Sequence, residues 1–184
     1  MKIEISPTCI LMGSVLFYTD TVGFLATTLA MLLHEVGHLL AARIANVKVA
    51  RLCFDVFGAK ITPRGLFSYQ KEVLLAAGGP AASLALGLWL LPLESGFFKI
   101  LSLSSLSLGI FNLLPIDSFD GGRILHGLLA RKCRAEHAAK ILALTSYLSL
   151  LFLFLLASCI LLRFGENLAI AVLCAYLFVQ IFLK

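Results

Sequence analysis

The chain has few charged residues: Asp, Glu, Lys and Arg make up 14% of its 184 residues, and hydrophobic residues make up 60%. Soluble domains carry about 25% charged residues. Mean hydropathy is +1.00, so no segment is polar enough to form a separate soluble domain. We therefore expect a single membrane-embedded domain over residues 1–184.

Two further features are absent. The five cysteines include no C-x-x-C pair and are odd in number, which argues against a disulfide framework or a cysteine zinc site. The first five residues, with one Lys and one Glu, do not resemble a cleavable signal peptide.

Long apolar runs predict an all-α polytopic membrane protein with about six transmembrane helices. The runs cover residues 5–19, 21–42, 73–92, 97–115, 138–162 and 167–183. The chemistry-bearing motifs fall in a core over about 21–125, and the last two spans form a C-terminal helical pair over about 138–183.

The basic residues predict the orientation of these spans. All 15 Lys and Arg except Lys99 and Arg163 fall on one side if the C-terminal end of the second span is cytoplasmic. Positive charge collects on the cytoplasmic side of membrane proteins, so both termini are expected inside the cell. The net charge of +5 thus reflects orientation in a lipid bilayer, and no nucleic-acid partner is expected.

Residues 46–62 differ from the spans around them. β-branched and aromatic side chains, including Val49 and Phe54, alternate with charged ones, which predicts a small β-hairpin or sheet at the membrane edge. An exposed strand edge can bind an extended peptide as a further strand, whereas a purely structural loop is the alternative.

The segment from Pro115 to Gly122 interrupts the helical pattern with two aspartates and two glycines. Irregular backbone within a membrane must be buried in protein or line a wet cavity. A re-entrant Asp-Gly loop is therefore predicted here.

The motif His34-Glu35-Val36-Gly37-His38 lies in the second apolar run. From Thr21 to Ala42 these two histidines and the glutamate are the only ionisable side chains. Ionisable groups inside a membrane cost about 2.5–3.5 kcal/mol each on insertion scales, so they indicate function. On a helix His34 and His38 share a face and can bind one metal ion, with Glu35 beside it to move a proton.

A catalytic zinc ion usually has three protein ligands and one open position. Candidates for the third ligand are Asp117, Asp120, Glu72, His126 and His137. Asp120 is preferred because Gly121 and Gly122 allow a tight turn and a close approach to another helix. Asp117 comes second.

Three motifs together resemble the site-2 proteases, peptidase family M50, and particularly the stage IV sporulation protein FB branch. They are His34-Glu35-x-x-His38, Gly79-Pro80, and the block Asn112 to Leu125, which resembles an N-x-x-P-x-x-x-x-D-G signature. The resemblance departs from the family at Ser83, where Asn is usual, and at Phe119, where Leu is common.

The resemblance implies an intramembrane zinc metalloprotease with one zinc ion per chain. His34, His38 and Asp120 would be the metal ligands and Glu35 the catalytic base. Asn112 and Pro115 of the signature would contact the substrate. Apart from the resemblance, the strand pattern over residues 47–61 makes Val49 and Phe54 candidate substrate contacts. The substrate would be a membrane-anchored protein, reached from the cytoplasmic side of a bacterial membrane, and a regulatory or inhibitory membrane partner stays open.

Three alternatives remain at this point. A membrane gluzincin would use Glu72 as its third ligand. A metal-ion transporter or sensor would use His34, His38 and Asp120 as a binding site and would not need Glu35. An inactive scaffold of the same fold is disfavoured because every expected catalytic residue is present.

Overall fold

The computed structural model describes residues 2–5, 20–47, 49–55, 58–63 and 68–164. Apart from Ile5, the predicted span 5–19 lies outside the described residues, and so does the predicted span 167–183.

Five helices account for most of the described chain. They are α1 (Thr21–Ile44), α2 (Tyr69–Leu90), α3 (Gly96–Asn112), α4 (Asp120–Ala130) and α5 (Ala135–Phe164). Three stretches are long and apolar enough to cross a membrane: Thr21–Ile44, Tyr69–Leu90 and Ala135–Leu156. They correspond to the predicted spans 21–42, 73–92 and 138–162. Helix α3, in the predicted span 97–115, has 17 residues and is about 25 Å long, shorter than a typical hydrocarbon core.

Three short strands form one sheet in the order β1-β2-β3, with β1 at Lys2–Ile5, β2 at Val49–Asp55 and β3 at Gly58–Pro63. β1 pairs parallel to β2, and β3 pairs antiparallel to it. β2 therefore has a neighbour on each side. The position of this sheet at a membrane edge stays a prediction.

The chain divides into two compact units. The first, Met1–Leu113, contains the sheet and helices α1 to α3, which pack against one another in pairs. The second, Leu114–Lys184, contains α4 and α5. The prediction of one membrane domain over 1–184 stays a prediction.

Helix α1 has an apolar exposed face and a buried face that carries polar groups. Buried residues recur about every four positions, at Ala26, Ala30, His34 and His38. Large exposed side chains cover the other face: Val22, Leu25, Leu29, Leu32, Val36, Leu40 and Ile44. An apolar stripe of this length suits contact with lipid tails, and it leaves the histidines facing protein.

Local signals set both ends of α1. The Asp20 carboxylate accepts a hydrogen bond of 2.9 Å from the Gly23 amide and caps the N-terminus. At the other end Asn46 adopts φ 52°, and the Val47 amide donates to the Ala42 carbonyl at 2.9 Å. Asn tolerates this left-handed conformation, which stops the helix.

Helices α1 and α2 meet backbone to backbone. A Cβ atom on Gly37 would clash with the Gly78 carbonyl oxygen, and one on Gly78 would lie 2.6 Å from the Gly37 carbonyl oxygen. Small residues permit such close packing between membrane helices. This contact brings the His34–His38 face of α1 against α2.

In the second unit, Ile116 anchors the loop before α4. Its side chain is fully buried and packs with Leu150 and Leu153 of α5. The Asp117 amide donates to the Ser146 hydroxyl at 3.0 Å. The loop leading to Asp120 is thus attached to α5 by both apolar and polar contacts.

Candidate functional site

The two histidines of α1 converge as their spacing predicts. His34 Nε2 and His38 Nε2 lie 3.2 Å apart, and the rings meet edge to face at a centroid distance of 4.8 Å. Both side chains are buried, with 3% and 4% of their surface exposed. The predicted pairing of His34 and His38 on one helix face is therefore present in the structure.

The separation of these nitrogens fits a shared metal ion. Two imidazole nitrogens bound to a tetrahedral zinc at 2.0–2.1 Å lie about 3.3–3.4 Å apart. The observed 3.2 Å is close to that value. With Glu35 added, the ligand atoms of the cluster all lie within 4.8 Å of one another.

Gly79 of α2 leaves space at the convergence point. A Cβ atom built on Gly79 would lie 2.6 Å from His34 Nε2 and would also clash with His38 Nε2. Any side chain here would fill the volume in front of both nitrogens. The donor set and the space beside it thus fit a small cation.

Each histidine has a partner for its other ring nitrogen. His38 Nδ1 lies 2.8 Å from the Leu75 carbonyl oxygen, and His34 Nδ1 lies 2.9 Å from the Ser83 hydroxyl oxygen. Partners of this kind fix the ring orientation and the tautomer of metal-binding histidines. Both partners come from α2, so the packing of α1 on α2 orients the ligand pair.

Glu35 follows the first ligand directly and is also buried, with 4% of its surface exposed. It belongs to the same His34–Glu35–His38 cluster. A buried carboxylate beside two imidazoles is suited to proton transfer.

Asp120, the predicted third ligand, is the first residue of α4 in the second unit. Asp120 is buried, with 8% of its surface exposed, and its Oδ1 lies 3.5 Å from Arg123 Nη1. Glu72, the rival ligand, lies in the first turn of α2 and is half-buried. The identity of the third ligand stays a prediction.

The predicted substrate residues lie in both units. Asn112 ends α3, and its Nδ2 donates to the Leu108 carbonyl at 3.0 Å. Pro115 lies in the half-buried loop of the second unit. Val49 and Phe54 belong to β2, where Val49 pairs with Pro63 and Phe54 with Ala59.

Sequence reasoning missed the roles of Gly79, Leu75 and Ser83 around the histidines. The sequence singles out Gly79 only as part of the Gly79-Pro80 motif, and Ser83 only as a position where the family usually has Asn. Their α-helical spacing of four residues placed them on one face of α2, which was a usable signal. The Leu75 carbonyl offered none, because every residue has one.

Comparisons with known proteins show similarity to zinc metalloproteases. The family model described as "Peptidase family M50" matches residues 93–156. A zinc metalloprotease of Methanocaldococcus jannaschii is 32% identical over 130 residues, covering 65% of this chain and 38% of its own length. A protein of Synechocystis sp. is 32% identical over 112 residues, covering 52% of this chain and 28% of its own length. The chain thus spans less than two fifths of each of these curated relatives.

A solved structure matches over nearly the whole chain. The site-2 protease from Methanocaldococcus jannaschii superposes with a TM-score of 0.69 at 25% identity, covering 99% of this chain and 89% of that one. The chain is thus similar to peptidase family M50 over residues 93–156, to curated zinc metalloproteases over part of their length, and to a solved site-2 protease over nearly all of its own length.

Proposed function

We propose that the chain is an intramembrane zinc metalloprotease that hydrolyses peptide bonds in or near the transmembrane segments of membrane-anchored proteins. His34, His38 and Asp120 would hold one zinc ion, and Glu35 would be the catalytic base. The proposal rests above all on one observation: two imidazole nitrogens converge at 3.2 Å on a space kept open by Gly79, inside a helix apolar enough to span a membrane.

When bound by these residues, a zinc ion would act as a Lewis acid and would make a water molecule easier to deprotonate. Glu35 is placed beside the ligand pair, where its carboxylate accepts a proton from the attacking water and later passes it to the leaving amine. The Leu75 carbonyl and the Ser83 hydroxyl hold the two imidazole rings while this happens. The names of the relatives favour this hydrolytic role over the transporter alternative. A transporter would need only metal ligands and no proton-transferring carboxylate at Glu35.

The substrate must present an extended segment, because a helix hides its carbonyl groups in its own hydrogen bonds. The three-stranded sheet suits such a segment. Since β2 has neighbours on both sides, a peptide that adds as a strand would pair with β1 or β3. Val49 and Phe54 of β2 stay proposed substrate contacts. Asn112 and Pro115 would contact it near the metal.

The finer features follow from sequence and resemblance. We propose about six spans, a re-entrant segment before Asp120, both termini inside the cell, and access to the site from the cytoplasmic side of a bacterial membrane. The stage IV sporulation protein FB branch is the proposed subgroup, supported by the block from Asn112 to Leu125. Regulation by a membrane partner is compatible with this function.

Replacing Glu35 with Gln tests the catalytic role. The chain and a reporter with a single transmembrane segment are placed together in lipid nanodiscs, and cleavage is followed on gels. Loss of a general base costs about 10²–10⁴-fold in rate, so E35Q is expected to cut the reporter at least 100-fold more slowly. Zinc content, measured on the same samples, should stay at one ion per chain.

Glu136 provides the matched control, because it is exposed at the start of α5. E136Q should cleave the reporter at the wild-type rate. Wild-type cleavage by E35Q would exclude Glu35 as the base, and cleavage that persists in zinc-free protein would exclude the zinc mechanism.

A further inference from the structure

Ser83 is a buried serine of α2 whose hydroxyl oxygen lies 2.9 Å from His34 Nδ1. The resemblance to the site-2 proteases assigned it no role, because Asn is usual at this position. We propose that the Ser83 hydroxyl supports His34 in both neutral tautomers and so adapts the ligand pair to the metal-free and the metal-bound site. This inference rests on the proposed function, since it requires a metal ion at the histidines.

The tautomer of His38 is fixed by its partner. His38 Nδ1 lies 2.8 Å from the Leu75 carbonyl oxygen, which can only accept a hydrogen bond. The Gly79 amide N–H is also directed at this nitrogen, at 3.2 Å, but within α2 that amide has the Leu75 carbonyl, four residues earlier, as its helical acceptor. An unprotonated Nδ1 would face the same carbonyl oxygen at 2.8 Å with no proton between them. Nδ1 therefore carries the proton and Nε2 presents a lone pair.

That lone pair points at His34 Nε2, 3.2 Å away. Two lone pairs at this distance repel each other unless something positive lies between them. With a metal ion bound, both nitrogens donate their lone pairs to it. Without one, His34 Nε2 must carry a proton and donate it to His38 Nε2.

The two states make opposite demands on His34 Nδ1. Without metal, His34 Nδ1 is unprotonated and needs a hydrogen-bond donor. With metal bound at Nε2, Nδ1 carries the proton and needs a hydrogen-bond acceptor. A neutral imidazole holds one proton in both states, so one proton leaves Nε2, one arrives at Nδ1, and the ring releases none. The Ser83 hydroxyl satisfies both states because it rotates and can donate or accept. A carbonyl such as that of Leu75 could serve only the metal-bound state.

Packing holds this hydroxyl in place. Ser83 is 1% exposed, and a Cβ atom built on Gly109 of α3 would lie 3.2 Å from Ser83 Cβ. The serine is therefore enclosed between α1 and α3, with its hydroxyl beside His34. Ser83 is a positioning residue, since it acts through His34.

The test compares S83A and S83C with S102A in the full chain reconstituted in nanodiscs. Cysteine keeps nearly the volume of serine but is a weak hydrogen-bond donor and acceptor, so it separates hydrogen bonding from packing. Ser102 is equally buried, but its hydroxyl donates to the Gly87 carbonyl at 2.7 Å, so S102A removes a comparable hydroxyl from a bond that does not involve His34. Zinc affinity is measured by competition with a chelator. Imidazole ¹⁵N spectra show which ring nitrogen is protonated, with H126Q and H137Q used for assignment.

In the wild-type chain the His34 proton is expected on Nε2 without zinc and on Nδ1 with zinc. Loss of a partner behind a ligand weakens metal binding by about 10–100-fold, which is expected for both S83A and S83C and not for S102A. Wild-type affinity in S83C, or a His34 proton that stays on one nitrogen throughout, would overturn the inference. A wild-type chain that binds no zinc would instead overturn the proposed function itself.

Discussion

Gly79 is a position at which the site cannot accommodate a side chain. In G79A the new methyl group would occupy the space in front of His34 Nε2 and His38 Nε2. Since zinc–nitrogen bonds are only 2.0–2.1 Å long, the ion and the methyl group cannot both fit. Losing a supporting partner costs about 10–100-fold in affinity, and blocking the site should cost more. We expect G79A to bind zinc more than about 100-fold more weakly, as measured by chelator competition.

Gly96 serves as the control for this substitution. It begins α3, and a Cβ atom there meets no other atom within 4 Å. G96A should bind zinc as the wild-type chain does. Equal zinc affinity in G79A and the wild type would show that the ion does not lie between the two imidazoles.

At the level of the helix, α1 was the element best predicted from the sequence. Its apolar run from 21 to 42 became a helix over Thr21–Ile44, and the spacing of His34 and His38 placed both on one face. These features depend on residues close in sequence, so they can be read without knowledge of the fold. The helix ends at Ile44, two residues beyond the apolar run. Its end is set by the left-handed conformation of Asn46 and not by hydropathy.

The partners of the histidines were not predicted, because they depend on how α1 crosses α2. The crossing is fixed by the contact between Gly37 and Gly78, which are 41 positions apart in the sequence. Glycine has no side chain, so nothing in the sequence indicates that these two residues meet. Once that contact exists, Ser83 and the Leu75 carbonyl fall beside the rings. Tertiary contacts of this kind need the helices to be placed in space first.

Helix α5 holds the loop before α4 through Ser146. The Ser146 hydroxyl donates to the Leu142 carbonyl at 2.7 Å and accepts from the Asp117 amide at 3.0 Å. S146A would leave that amide without its acceptor, at a cost of about 1–3 kcal/mol. We expect faster hydrogen–deuterium exchange at residues 115–120 in S146A, measured by mass spectrometry.

Thr145 offers a neighbouring control, because its hydroxyl donates to the same Leu142 carbonyl, at 3.0 Å, within its own helix. T145A should leave exchange at residues 115–120 unchanged. If S146A and T145A exchange alike at these residues, the loop is held by the burial of Ile116 alone.

On the scale of the whole molecule, the three proposed metal ligands belong to two different compact units. His34 and His38 belong to Met1–Leu113, and Asp120 belongs to Leu114–Lys184. An ion held by residues from both would stabilise the folded chain, by about 2.7 kcal/mol when free zinc is 100 times its dissociation constant. The gluzincin alternative, with Glu72 in the first turn of α2, would place all three ligands in the first unit. The two arrangements therefore differ in which substitution removes the stabilisation.

We expect D120N to lose most of the zinc-dependent rise in thermal midpoint, because an amide is a much poorer zinc ligand than a carboxylate. E72Q should keep that rise in full, since Glu72 has no part in the proposed site. Both variants are titrated with zinc in nanodiscs, with zinc content measured on the same samples. The reverse result, with E72Q losing the rise and D120N keeping it, would assign the third ligand to Glu72. Asp120 would then be left with its ion pair to Arg123, and the site would lie wholly within the first unit.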